Sequence, residues 1–211
     1  MIIIINFKNY VHGKKALDLA KKIKEYLPQA IVAVSSADAR GISYYTKLQV
    51  FAQHIDFAEG KKSTGFVTAE TLKETGAGGS LLNHSEHRLN EEIIKKTIKK
   101  AKEKNLKIIL CVKNLSEARK YKNFNPWAIA FEDPKLISTG KSITKYKGED
   151  LKKFVSMLKG IKIIPLCGAG INSKEDVTEA GKLGCKGVLI SSAIANSKNP
   201  DKILGEISKI K

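Results

Sequence analysis

Glu132 stands at the end of a short apolar run, Trp127–Phe131, and is followed by Asp133-Pro134 and a segment carrying Ser138, Thr139 and Gly140. An apolar run of that length reads as a buried strand, and Asp-Pro marks its exit into a loop. A carboxylate fixed on a strand end, beside a segment able to close over it, suits general-base chemistry. A strand-terminal acid before an ordinary turn fits the same residues, so Glu132 needs partners. Other apolar runs end in groups that could supply them. Ile2–Ile5 leads to Asn6 and Lys8, Gly78–Leu82 to Asn83, His84 and Glu86, Ile161–Leu166 to Gly168 and Gly170, and Gly187–Ile190 to Ser191 and Ser192. Glycines and serines after a strand leave backbone N–H groups free to cradle a phosphate, and Lys8 adds a cation. Glu132 and His84 would then form an acid/base pair away from the phosphate end. Each residue also has a plainer reading. Lys8 fits a surface lysine, His84 a core histidine, Glu86 an acid beside a helix dipole, the glycines a turn, and the serines caps.

These residues need a scaffold that brings distant strand ends together. Continuous β-branched runs such as Ile2–Ile5 are expected of strands buried on both faces. Ile31–Val34, Val50–Ala52 and Leu106–Val112 complete the set. Helical stripes alternate with them. Ala16, Leu19, Ala20, Ile23 and Leu27 recur at helical spacing before Pro28, and Asn90 precedes Glu91-Glu92 and an Ile93, Ile94, Ile98, Ala101 stripe. Asp38–Tyr45, Val67–Glu74 and Ser116–Tyr121 read as short helices. Leu151, Phe154 and Leu158 form a further stripe, Ser173 caps the next, and Pro200 opens the last. Glu59–Phe66 reads as a loop. About eight strands, each followed by a helical segment, predict a closed (β/α)8 barrel forming a single domain over 1–211. A doubly wound open sheet is the alternative. No GxGxxG follows the first strand, which argues against a dinucleotide site.

Composition narrows the function classes. The chain has 211 residues, enough for one sizeable core, and 42% hydrophobic with 28% charged residues is the balance of a soluble globular protein. No apolar run reaches the length of a membrane span, so a cytoplasmic protein is expected. Cys111, Cys167 and Cys185 are odd in number and lack CxxC spacing, which predicts reduced thiols and no zinc site. The formal net charge of +17 comes mostly from lysines scattered along helices. With Arg40, Arg88 and Arg119 as the arginines, and no clustered bases with interleaved aromatics, specific nucleic-acid binding is not expected. The charge can attract small anionic substrates.

Taken together, NFKNY (6–10), AQHID (52–56), STGFV (63–67), LLNHSEHR (81–88), FEDPKLISTGKS (131–142), LCGAGI (166–171) and LISSA (189–193) resemble triosephosphate isomerases of the short archaeal type. The match covers nearly the whole chain, and LNHSE is its most specific motif. The resemblance implies a TIM barrel that interconverts dihydroxyacetone phosphate and glyceraldehyde 3-phosphate in glycolysis and gluconeogenesis, with no cofactor and no metal. It implies Glu132 as the base, neutral His84 as the electrophile that shuttles protons between oxygens, and Lys8 as the stabiliser of enediolate and phosphate charge. Asn6 and Glu86 would organise Lys8. Residues 133–141 would form a lid, and the phosphate would take donors from Ile137, Ser138, Gly170, Ser191 and Ser192. The Lys61–Phe66 loop would reach into a second subunit of a homodimer or homotetramer. Two residues depart from the family pattern. Asp133 replaces a proline, which loosens the first hinge because proline fixes φ and aspartate does not. Ser138 replaces a glycine near the lid tip, at a cost of about 1 kcal/mol if that position needs φ > 0.

Two other readings stay open on the residues alone. One is another phosphate-binding barrel, such as a sugar-phosphate epimerase or an enzyme of indole or thiamine biosynthesis. The other is a non-catalytic basic barrel that binds nucleic acid or a protein partner. The joint presence of Lys8, His84 and Glu132 argues against the second.

Overall fold

The side chains of Ile2–Asn6 alternate between two apolar environments, and this alternation organises the molecule. Ile4 packs in an inner cluster with Phe51, Leu81, Ile109, Leu166 and Leu189, while Ile3 and Ile5 face an outer layer shared with the helices. Burial on both faces is why this strand is apolar without interruption. The computed structural model describes residues 1–137 and 139–210.

Eight parallel strands close into a barrel in chain order. They are β1 (Ile2–Asn6), β2 (Ile31–Val34), β3 (Gln49–Ala52), β4 (Gly79–Leu82), β5 (Lys107–Val112), β6 (Ala128–Phe131), β7 (Ile164–Cys167) and β8 (Gly187–Ile190). Closure is explicit at Ile4, which registers with Ile31 on one side and Leu189 on the other. An open sheet would leave β1 or β8 with an unpaired edge, and that alternative is set aside.

Helices connect the strands: α1 (Gly13–Tyr26), α2 (Ser36–Thr46), α3 (Ala69–Glu74), α4 (Glu91–Glu103), α5 (Leu115–Tyr121), α6 (Ile143–Tyr146), α7 (Gly148–Met157), α8 (Lys174–Lys182), α9 (Ser192–Ala195) and α10 (Pro200–Ile207). Their starts follow local chemistry. Asn90 Oδ1 accepts from the Ile93 N–H at 2.9 Å, and Ser173 Oγ from the Asp176 N–H at 3.3 Å. Each bond satisfies an amide that the helix cannot. Pro200 sits at the first position, where its missing donor costs nothing.

Three departures from the expected elements have physical reasons. The run at 161–166 does not pair from its start. Gly160 turns at φ +82°, Ile161 is exposed, and the ladder begins where Ile164 meets Ala128. Helix α2 is longer than expected, because Ser35 caps it ahead of Asp38. Helices α6 and α9 have four residues each, too few to show a periodic stripe. All three cysteines are buried free thiols. Among the described residues, no helix is long and apolar enough to cross a membrane.

Candidate active site

The two-residue period that fills the barrel continues past the strand ends and turns polar there. Ile4 is followed on the inward face by Asn6, Ala130 by Glu132, and Leu189 by Ser191. These three, with Lys8, His84, Gly170 and Ser192, line one cleft of about 290 Å³ at the C-terminal mouth of the barrel. Ile137, from the segment after β6, lines it too. Five strand ends thus contribute to one cleft, while Asn83, Glu86 and Gly168 lie outside its lining. Ser138 lies outside the described residues.

Lys8 is held by its backbone before its side chain does anything. The chain turns left-handed at Lys8, with φ +45°. Asn6 Oδ1 accepts the Lys8 N–H at 3.0 Å, and Gln53 Nε2 donates to the Lys8 carbonyl at 2.8 Å. The Lys8 ammonium then sits 2.6 Å from Glu86 Oε1, with only 11% of its side chain exposed. Asn6 and Glu86 therefore organise Lys8 from opposite ends.

His84 owes its place to Asn83. That residue takes φ +61°, a conformation asparagine tolerates, and is fully buried. Its Nδ2 donates to the Cys111 carbonyl and its Oδ1 accepts from the Leu89 N–H, both at 3.0 Å. The loop is thereby tied to β5, and His84 is left facing the cleft. The Glu86 N–H donates to His84 Nδ1 at 3.3 Å. With Nδ1 turned to the Glu86 amide, Nε2 is the ring nitrogen that faces Glu132. Nε2 lies 3.7 Å from Glu132 Oε2.

Glu132 is buried, and its Oε2 has no hydrogen-bond partner among the described residues. Buried polar atoms are normally paired, and an orphan carboxylate oxygen at a cleft marks a group kept ready for another atom. Two neighbours shape its surroundings. Burial raises the Cys111 thiol well above its ordinary range, and the charge and hydrogen bond of Glu132 raise it further. A Cβ on Gly168 would stand 2.6 Å from Glu132 Oε1, so the glycine gives the carboxylate its resting place. Gly168→Ala is expected to displace the carboxylate and lower kcat by about 100-fold with little change in KM, since ångström-scale misplacement of a reacting group costs that much. Steady-state kinetics check this, and a change confined to KM would contradict it.

The opposite end of the cleft is formed by the turn after β7 and the start of α9. Gly170 takes φ +68°, and a Cβ there would lie 2.0 Å from the Lys141 carbonyl oxygen. Only glycine fits between this turn and the end of the 133–141 segment. Among the described residues, the N–H groups of Gly170 and Ser192 donate to no protein acceptor, and Ser191 Oγ is buried without a partner. No three His, Cys, Asp or Glu side chains among the described residues converge as metal ligands.

Asp133 has two side-chain partners in this structure. Its Oδ1 accepts from the Lys135 N–H at 2.9 Å, an Asx turn, and its Oδ2 lies 3.6 Å from Lys147 Nζ. Tyr10, Gly140, Ala169, Asn172 and Asn196 also line the cleft and were not singled out in the sequence. Asn172 carried a signal, two residues beyond Gly170. Asn196 carried none, because α9 before it shows no pattern.

Comparison with known proteins agrees with this geometry. The family model described as triosephosphate isomerase matches residues 1–208. A triosephosphate isomerase of Sulfolobus acidocaldarius is 37% identical over 215 residues, covering 99% of this chain and 94% of the relative. One from Methanothermus fervidus is 39% identical, covering 98% and 96%. The crystal structure of triosephosphate isomerase from Bartonella henselae superposes with a TM-score of 0.72 over 92% of this chain and 93% of that one, at 18% identity, which speaks for the fold. Matched along almost its whole length by that model and by these archaeal relatives, the chain belongs to the triosephosphate isomerase family.

Proposed function

We propose that Glu132, His84 and Lys8 perform the family's reaction, the interconversion of dihydroxyacetone phosphate and glyceraldehyde 3-phosphate. The observation that carries the assignment is the buried Oε2 of Glu132, without a hydrogen-bond partner among the described residues and 3.7 Å from His84 Nε2. Glu132 removes a proton from the carbon beside the carbonyl. The electron pair of that C–H bond forms the C=C bond of an enediolate, and the carbonyl π pair moves onto oxygen. His84 passes its Nε2 proton to that oxygen, which becomes a hydroxyl, and takes up the hydroxyl proton of the adjacent carbon, whose oxygen becomes the new carbonyl. Lys8 balances the developing negative charge. Glu132 then returns the proton to the neighbouring carbon.

The phosphate would rest on Gly170, Ser191, Ser192 and the Ile137–Ser138 region, with the 133–141 segment closing over it. Unused backbone donors at Gly170 and Ser192 support this. A crystal soaked with a phosphoglycolate-like anion is expected to show its phosphate within hydrogen-bond distance of those two amides and of Ser191 Oγ. Density elsewhere in the cleft would overturn the placement.

Phe66 is half exposed on the 59–66 loop, and Tyr44 and Tyr45 on α2 are more than half exposed. Such apolar surface supports a homodimer or homotetramer in which this loop contacts a second copy. Free buried thiols are consistent with a reducing cytoplasm.

A further inference from the structure

We propose that a groove at the N-terminal end of the barrel docks a segment of a partner protein in which acidic and apolar side chains occur together. The groove has a volume of about 790 Å³ and lies where the chain passes from α7 into β7 and from α8 into β8. The catalytic cleft is at the other end of the same strands, so an occupant of the groove leaves substrate access open.

Local backbone geometry makes the floor. Gly160 turns the chain at φ +82°, and Ile161, Lys162 and Ile163 follow before pairing with β6 begins at Ile164. A strand-like sequence thus starts ahead of its ladder. Ile161 is left 45% exposed, although burying an isoleucine is favourable. Val155 of α7, Leu183 after α8, and Ile164 and Pro165 of β7 line the same groove and are only half-buried. The N–H groups of Lys162 and Ile163 donate to no protein acceptor among the described residues. A contiguous apolar floor with unused main-chain donors is the kind of surface that another chain covers.

The rim is basic. Lys152, Lys159, Lys162 and Lys186 line the groove, and among the described residues no acidic side chain does. Lys152 is paired with Glu149 at 2.7 Å. Lys159, Lys162 and Lys186 are exposed and form no ion pair among the described residues. Ammonium groups gathered around one groove repel one another, and carboxylates brought by an occupant relieve that repulsion.

Charge and shape together select the occupant. A second copy of this chain carries a net charge of +17 and brings like charge to the rim. Nucleic acid would satisfy the lysines with its phosphates but leave the aliphatic floor against water. Among the described residues the lining also has no arginine and no aromatic ring on which a base could stack. An anionic membrane is flat, and it would touch the rim while leaving the floor uncovered. A protein segment with leucine or isoleucine on one side and glutamate or aspartate on the other meets both demands.

The test selects a displayed library of random peptides on the wild-type protein, with counter-selection on the triple variant Lys159→Glu, Lys162→Glu, Lys186→Glu. Peptides that combine Asp or Glu with Leu, Ile or Phe are expected to be enriched. Their affinity is read from the fluorescence of Trp127, the one tryptophan of the chain. Its carbonyl accepts the Ile164 N–H at 3.2 Å, and with Lys162 it lines an adjoining hollow. Ile161→Ser should weaken binding about tenfold by removing buried apolar surface. The triple variant should weaken it about 100-fold, and added salt should weaken wild-type binding as well. These side chains lie away from the cleft, so circular dichroism and isomerase turnover should match wild type in both variants. If Ile161→Ser does not fold, Ile161→Thr carries that arm. The proposal is overturned if no peptide is enriched over the triple variant, or if the enriched peptides are purely acidic and bind regardless of Ile161. Tighter binding of a thymidine oligonucleotide or of phosphatidylserine vesicles than of the selected peptide overturns it too.

Discussion

Glu132→Gln is expected to lower kcat by at least about 10³-fold while the protein stays folded, because positioned general bases contribute about 10²–10⁴-fold and here the base also makes the intermediate. The substitution keeps shape and removes basicity. Its structural cost should be small, since Oε2 has no partner to lose among the described residues. An amide in its place gives up the desolvation penalty of a buried charge, so the melting temperature should hold or rise. That combination, stability kept and turnover lost, separates a catalytic group from a structural one. Glu132→Asp sharpens the point. It retains the charge but withdraws it by one methylene from the space over Gly168, and should cost about 100-fold through distance alone. Kinetics of both variants, with circular dichroism and proton exchange into D2O, decide the matter. A Gln variant within tenfold of wild type would remove Glu132 from the mechanism.

Much of this site was legible in the sequence because parallel barrel strands are buried on both faces. Apolar runs then report strands directly, and the polar residue that ends a run reports the mouth. Asn6, Glu132 and Ser191 follow from that logic, each standing two residues beyond an inward-facing core residue. What stayed hidden depends on contacts between distant segments. Gly168 looks like a turn glycine until the Glu132 side chain is found lying against it. Asn83 looks like part of a motif until its side chain is seen tying its own loop to β5. Asp133 reads only as a missing proline until its carboxylate is found against the Lys135 amide and near Lys147. The start of β7 was misplaced for the same reason. Ile161 has the residue type of a strand, but pairing with β6 begins only at Ile164. Residue type predicts burial well; register and side-chain partners arise from closure of the barrel.

Lys8→Met should lower kcat/KM by about 10³-fold, and its partner makes the effect interpretable. A unit charge about 4 Å from a substrate anion, at an effective dielectric near 20, contributes about 4 kcal/mol, and about 1.4 kcal/mol is tenfold. Methionine keeps most of the length of the stem and removes the charge. It also leaves Glu86 without the ammonium that lies 2.6 Å from its Oε1. With 56% of its side chain exposed, Glu86 would then present a bare carboxylate beside a cleft meant for a phosphorylated substrate. Part of the loss is thus repulsion rather than missing attraction. Two consequences separate these parts. The double variant Lys8→Met, Glu86→Gln should be less impaired than Lys8→Met alone, because the uncompensated negative charge is gone. Added salt should also narrow the deficit of Lys8→Met more than that of the double variant, since repulsion from an exposed carboxylate is screened. Glu86→Gln alone should be mild, because the bond to His84 Nδ1 comes from the Glu86 backbone and survives the change. A double variant as impaired as Lys8→Met, or more so, would mean that Glu86 acts on His84 or the substrate directly and not through Lys8.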